Sequence, residues 1–181
     1  MAVKNAPILT SFHSMSTSGL KGEGVYSKIP ELPNIEVIVV ASVAKALGVD
    51  AGVILGDRKT IQTLSSSSVY AGSSPPSPGI LYAYVWASEI YRNGLNRLRD
   101  NMKVFTDLIQ RKTGINYIKG FPVFLLKDQY AAEYLLKEGI IISSFPYPDP
   151  NSKYLNRIVL NSTHRRDELK VLTTAINQRL E

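Results

Sequence analysis

The sequence predicts an α/β protein in two parts: a first part built on a mostly parallel sheet, then a smaller C-terminal α+β domain. Three observations carry that expectation. The stretch "IEVIVVAS", Ile35 to Ser42, is a continuous β-branched run of the kind found in strands covered on both faces. Between Ser77 and Lys112 the apolar residues Leu81, Val85, Ile90, Leu95, Leu98, Met102, Phe105 and Leu108 follow a helical period. Beyond Gly114 short strand-like and helix-like runs alternate.

In chain order, residues 1–24 are rich in Ser, Thr and Gly and read as loop, with a short strand possible in "PILTSF". After the strand at Ile35–Ser42, Ala51–Leu55 gives a second, and Asp57 is placed to cap a helix through "RKTIQTLSS". The segment "SSPPSPG" stops one helix and starts another, because Pro suits a first helical turn and breaks an interior. One long helix from Ser77 to Lys112, bent near Gly94, follows. Then come "FPVFLLK" as a strand, "DQYAAEYLLKEG" as a helix closed by Gly139, "IIISSF" as a strand, "PYPDPNS" as a loop, "NRIVLN" as a strand, and a terminal helix in "STHRRDELKVLTTAINQRL". The expected divisions are 1–76, 77–112 for the connecting helix, and 113–181.

Composition narrows the function classes. A hydrophobic share of 44% and a charged share of 20% are those of a globular chain, so disorder and collagen-like classes are excluded. The absence of cysteine rules out a disulfide framework, a thiol nucleophile and a Cys-based zinc site. The start of the chain lacks a basic head and apolar core, and no run reaches the ~18 to 20 apolar residues of a membrane span, so the expectation is a cytoplasmic protein without a membrane partner. The net charge of +6 is scattered apart from "RNGLNRLR" and "HRR", a solvated basic face or an anionic-ligand preference rather than a nucleic-acid stripe.

The chemistry centres on Lys45, in "VASVAKALGVDAG". Ligands of α/β sheets bind beyond the carboxyl ends of strands. A partly desolvated lysine there has its ammonium form disfavoured and its amine free to condense with an aldehyde. Ser42 offers a hydroxyl to a phosphate at the same strand end, and Gly48, Ala51 and Gly52 leave room for a flat group. A loop lysine pointing at water is the plain alternative.

The order "VASVAKALGVDAG", "YAGSSPP", a long helix and "RIVLNSTHRRDEL" resembles the C-terminal half of a fold-type I pyridoxal-phosphate enzyme, from about Ser11 onward. Within that superfamily it is similar to the α-oxoamine synthases, such as 8-amino-7-oxononanoate synthase and 2-amino-3-ketobutyrate CoA ligase. The first part is then a remnant of the cofactor-binding large domain. The resemblance implies that Lys45 forms the Schiff base with pyridoxal 5'-phosphate, that Ser42 binds its phosphate, and that Ser73 and Ser74 lie where a neighbouring subunit approaches that phosphate, hence a homodimer. It implies that Arg157 takes the substrate carboxylate, a task suited to a guanidinium fork. Upstream, "TSFHSMSTSGLKGEG" puts His13 in the place of the family histidine before Gly19, Gly22 and Gly24. Where the family has an aspartate paired with the pyridinium nitrogen, this chain has Thr10, which cannot supply that charge.

Family members are roughly twice this length by the same resemblance, so the chain reads as a fragment, a truncated paralogue or one piece of a split protein. The implied activity is condensation of an amino acid with an acyl-CoA. The alternatives are a class I/II aminotransferase, which starts from the same covalent chemistry, or a non-catalytic remnant serving dimerisation or association with a separate N-terminal half. His164, before the acidic first turn of the last helix, reads as structural. Tyr82, Tyr84, Trp86 and Tyr91 read as core or dimer packing.

Overall fold

The computed structural model describes residues 8–12, 30, 36–44, 47–110 and 112–180, and the chain divides into two units, Met1–Arg92 and Asn93–Glu181. In the first unit the strands β1 (Ile8–Phe12), β2 (Val37–Ser42) and β3 (Gly52–Leu55) form a sheet in the order β1-β2-β3. β1 runs parallel to β2, with Thr10 beside Val39, and β3 returns antiparallel, with Ser42 beside Gly52. The mostly parallel sheet expected from the β-branched run is therefore not what forms. The cause is the connection: residues 43–51 are too few for the crossover that a parallel neighbour needs, and they fold back as a closed loop. Val43 donates to Ala51 O at 3.0 Å, and its own carbonyl accepts from Leu47 and Val49.

Three short helices follow, each begun by a side-chain cap. Asp57 Oδ1 accepts from the N–H groups of Lys59 and Thr60 ahead of α1 (Arg58–Ser65), as its place in the sequence predicts. Ser67 caps α2 (Ser68–Ala71), and Ser77 caps α3 (Pro78–Trp86), whose first residue is the proline suited to that position. The long helix expected from Ser77 to Lys112 is instead two helices. α3 ends at Ala87, whose N–H is shared between Ala83 O and Tyr84 O, and α4 runs from Ser88 to Leu108 with Gly94 inside it.

In the second unit α4 buries Leu98, Asn101, Met102 and Phe105, one face at helical spacing. A four-stranded antiparallel sheet has the order β4 (Ile115–Tyr117), β5 (Val123–Leu126), β7 (Tyr154–Val159), β6 (Ser143–Pro146). Phe124, Leu126 and Ile158 point from one face of this sheet into a core completed by Phe105, Leu135 on α5 (Ala131–Lys137), and Leu169 and Ile176 on α6 (Arg166–Leu180). The rings of Phe105 and Phe124 meet at 4.5 Å between centroids.

Asn156 is the polar member of that core, with 1% of its surface exposed. Its amide donates to Asp128 O at 2.7 Å and Gln129 O at 3.1 Å, and its carbonyl accepts from Ser144 at 2.7 Å. One side chain thus ties β7 to β6 and to the turn before α5. The expected strand "IIISSF" begins only at Ser143. Gly139 takes φ +75°, donates to Leu136 O, and lets Ile140 donate to Leu135 O, so the chain leaves α5 through a left-handed cap. Ile140 to Ile142 then run beside β7 without joining its ladder.

Candidate functional site

Ser42 closes β2 with its side chain exposed at the carboxyl end of the strand, where the sequence places a phosphate-binding hydroxyl. Lys45 and His13 lie outside the described residues, as do Gly19, Gly22 and Gly24. The loop that carries Lys45 is nevertheless held from both sides. Val43 anchors one end through the bonds already given, Gly48 turns the other with φ +63°, and Tyr91 Oη donates to Leu47 O at 2.9 Å. Tyr91 is thus a tether for this loop, a role that its helical spacing in the sequence did not reveal. Its ring meets Tyr84 at 5.8 Å.

Ser73 and Ser74 follow α2. The Ser73 hydroxyl donates to Tyr70 O at 2.7 Å, so its proton is engaged by the end of its own helix, whereas Ser74 is exposed and has no hydrogen-bond partner among the described residues. Ser42, Ser73 and Ser74 share no hydrogen bond among the described residues.

Arg157 occupies the middle of β7, flanked by Leu125 on β5 and Ser143 on β6. Strand alternation sends Asn156 and Ile158 into the core and leaves Arg157 on the opposite face. Its guanidinium lies 5.3 Å from the centroid of Phe145, within the range of a cation–π contact. Nothing else in the described residues engages it: the side chain makes no ion pair or hydrogen bond, and Nε is buried without an acceptor. Arg165 and Arg179 behave differently, pairing with Asp167 at 3.3 Å, Glu168 at 3.4 Å and Asp128 at 2.6 Å. A half-buried arginine with its donors unspent is suited to an anion from outside the fold.

The surface beside Arg157 is a cleft of about 680 Å³, bounded by Gly139 to Ser143, by Arg157 to Leu160, and by His164 to Leu172 along the start of α6. His164, read from sequence as structural, both shapes this cleft and lines it. Its Nδ1 accepts from Asn161 N–H at 3.2 Å, so in the neutral ring the proton sits on Nε2. The Asn161 carbonyl group of the side chain in turn accepts from Thr163 and His164, and the buried Asn101 amide donates to Asn161 O and His164 O at 3.0 and 2.9 Å. Asn161 three residues before His164 was the signal for this turn.

The model of aminotransferase class I and II matches residues 13–176. The chain belongs to that family. The family assignment spans the Lys45 loop, the two serines and Arg157 together. A curated relative, 8-amino-7-oxononanoate synthase of Symbiobacterium thermophilum, is 25% identical over 168 residues, covering 87% of this chain and 43% of that protein. The fold is that of serine palmitoyltransferase from Sphingomonas wittichii, with TM-score 0.71 and 17% identity over 94% of this chain and 46% of the other. It is equally that of the S. paucimobilis serine palmitoyltransferase bearing a bound PLP–myriocin aldimine, with TM-score 0.70, 17% identity and the same coverages of 94% and 46%. The chain spans about half the length of the curated relatives that it matches. No helix among the described residues is long and apolar enough to cross a membrane.

The residues present match what a phosphate-bearing aldehyde cofactor needs in part. An exposed hydroxyl stands at the strand end, and the lysine follows three positions later in the sequence, outside the described residues. Thr10, which the resemblance sets against the family's aspartate, lies on β1, and a threonine carries no negative charge.

Proposed function

We propose that this chain contributes the lysine-bearing and carboxylate-binding part of a pyridoxal 5'-phosphate-dependent transferase that condenses an amino acid with an acyl-CoA. The observation that carries the reading is Arg157, a half-buried residue lining a cleft, with none of its side-chain donors engaged among the described residues. The family membership and the names of the relatives support the cofactor and the reaction type. In this reading Lys45 holds the cofactor covalently and carries a proton, His13 is a second catalytic residue, Ser42 binds the phosphate, and Ser73 and Ser74 lie where a neighbouring subunit approaches it. Arg157 orients the substrate carboxylate. When bound, the cofactor supplies an electron sink for the carbon next to the substrate amine. A cytoplasmic location and the divisions 1–76, 77–112 and 113–181 belong to the same proposal.

A second copy of the chain is the proposed partner, and the helix α3 supports it. Tyr82, Val85 and Trp86 are 67%, 68% and 70% exposed, an apolar surface larger than single scattered residues explain. A class I/II aminotransferase is the alternative, favoured by the family model itself.

The deciding experiment adds pyridoxal phosphate to the purified chain, reduces with borohydride, and locates the adduct by mass spectrometry. An adduct confined to Lys45, followed by a spectral change with amino acids and none with the matching amines, is expected. Reduction spread over surface lysines would reject the cofactor role.

A further inference from the structure

We propose that the first unit is built to be enclosed by a further polypeptide, the counterpart of the part of its relatives that lies outside the match. That polypeptide adds a strand to the free edge of β3 and covers α3 on the sides that a second copy of this chain leaves open. The chain spans about half the length of the curated relatives, and each of them carries the remainder in the same polypeptide. The sheet edge is the first observation. β3 pairs with β2 on one side and with no described strand on the other. The bond from Val43 N–H to Ala51 O sets the phase of this antiparallel pair: Ala41 with Val53 and Val39 with Leu55 exchange bonds, so the main-chain groups of Gly52 and Ile54 face away from β2. Those groups are a template for one more strand, and Gly52–Leu55 carries neither the charge nor the proline that blunts an edge. Ile54 and Leu55, 41% and 47% exposed, are successive residues and so stand on opposite faces of the sheet. Such a pair fits a strand covered on both faces.

α3 is the second, independent observation. Ile80 to Trp86 are apolar or aromatic without a break, and every one of them is exposed. At about 100° per residue, that run points in every direction around the helix axis. A helix that rests on one partner or on a membrane interface keeps a polar face, and α3 carries no charged residue at all. A contact across a two-fold axis meets one side of a helix, so a second copy accounts for part of this surface and leaves the rest. A helix that is apolar all round belongs inside a fold. Among the described residues the first unit buries Val39, Ala41 and Val49 as its apolar core, which is too little to enclose α3.

Trp86 is the single tryptophan of the chain, so its fluorescence reports α3 alone. The test mixes the full chain with the unmatched part of the Symbiobacterium thermophilum relative and, separately, with that of the Methanococcus aeolicus relative, and reads hydrogen exchange over Gly52–Leu55 on the same samples. Without a segment, Trp86 is expected to be open to acrylamide and the β3 amides to exchange quickly. With a segment, a one-to-one complex is expected by light scattering, Trp86 emission moves to the blue, and the Ile54 amide exchanges at least about tenfold more slowly. Ile54→Pro removes one outward donor and no bond to β2, and Val85→Asn puts a polar group on α3; each weakens the complex, and the second, at an exposed position, reads the effect even where the proline disturbs β3. Trp86 and the β3 amides protected by rising concentration of the chain alone would assign both surfaces to a second copy. Protection of Trp86 only by phosphatidylcholine–phosphatidylglycerol vesicles would assign α3 to a lipid surface. Either result overturns the inference, as does protection already present in the dilute chain, or a Trp86 that stays open to acrylamide with both segments.

Discussion

The two units of this chain use their apolar residues in opposite ways. In the second, Leu98, Phe105, Phe124, Leu135, Ile158, Leu169 and Ile176 close on one another from three helices and a sheet. In the first, Val39, Ala41 and Val49 are the buried apolar residues among those described, and the apolar helix α3 buries none of its own. The difference teaches that apolar sequence measures a demand for cover, not cover already obtained. Most helical stability comes from packing one face, and α3 has the composition of a packed helix without the packing.

The comparison breaks most sharply at Phe124. Phe124→Ala opens the core of the second unit and is expected to cost about 3–5 kcal/mol in denaturant unfolding; a loss below about 1 kcal/mol would mean that this core is not the stability centre. Next is Asn156→Ala, which strands two backbone carbonyls and the Ser144 hydroxyl and is expected to cost about 1–3 kcal/mol. An unchanged midpoint would show that water replaces the amide without penalty.

A smaller effect distinguishes an ion pair of the second unit. Burial alone raises the pKa of Asp128, but the hydrogen bond from Arg179, the Tyr130 N–H and the Arg179 charge outweigh it and hold the carboxyl below its usual 3.8. A depressed folded pKa stabilises the fold above the unfolded value and is lost as pH falls through the folded one. Asp128→Asn is therefore expected to lower the thermal midpoint slightly at neutral pH, with the gap to the parent closing below about pH 4. A gap that persists at lower pH would place the effect in packing instead.

The smallest effect on folding belongs to α3. Val85→Ser at a 68% exposed position is expected to leave unfolding within about 0.5 kcal/mol of the parent while reducing self-association by light scattering. A large loss of stability there would mean that α3 is covered within a single chain.

Local signals were legible where a single side chain or glycine decides the structure. Asp57 marked the start of α1, and Gly139 marked the end of α5 through its left-handed φ. The β-branched run marked β2 but not the direction of its neighbours, because direction depends on the length and closure of the connection at residues 43–51. The helical period ran unbroken through Ala87, since the shared hydrogen bond that separates α3 from α4 has no side-chain signature. At the site, Arg157 was singled out by resemblance, whereas the cleft that it lines was not. His164 entered it through a turn built by Asn161 and Asn101, which stand 60 residues apart. Tyr91 likewise reaches Leu47 across 44 residues, a separation that no local pattern records.

The left-handed cap at Gly139 has a consequence for how this surface can be altered. Of the isoleucines that border the gap beside β7, Ile140 and Ile142 also pack against the core, whereas Ile141, 86% exposed, is under no packing constraint. Shape and selectivity are therefore encoded at different positions. A library varied at residue 141 with Gly139 fixed would retune the lining of the groove without rebuilding the scaffold that creates it.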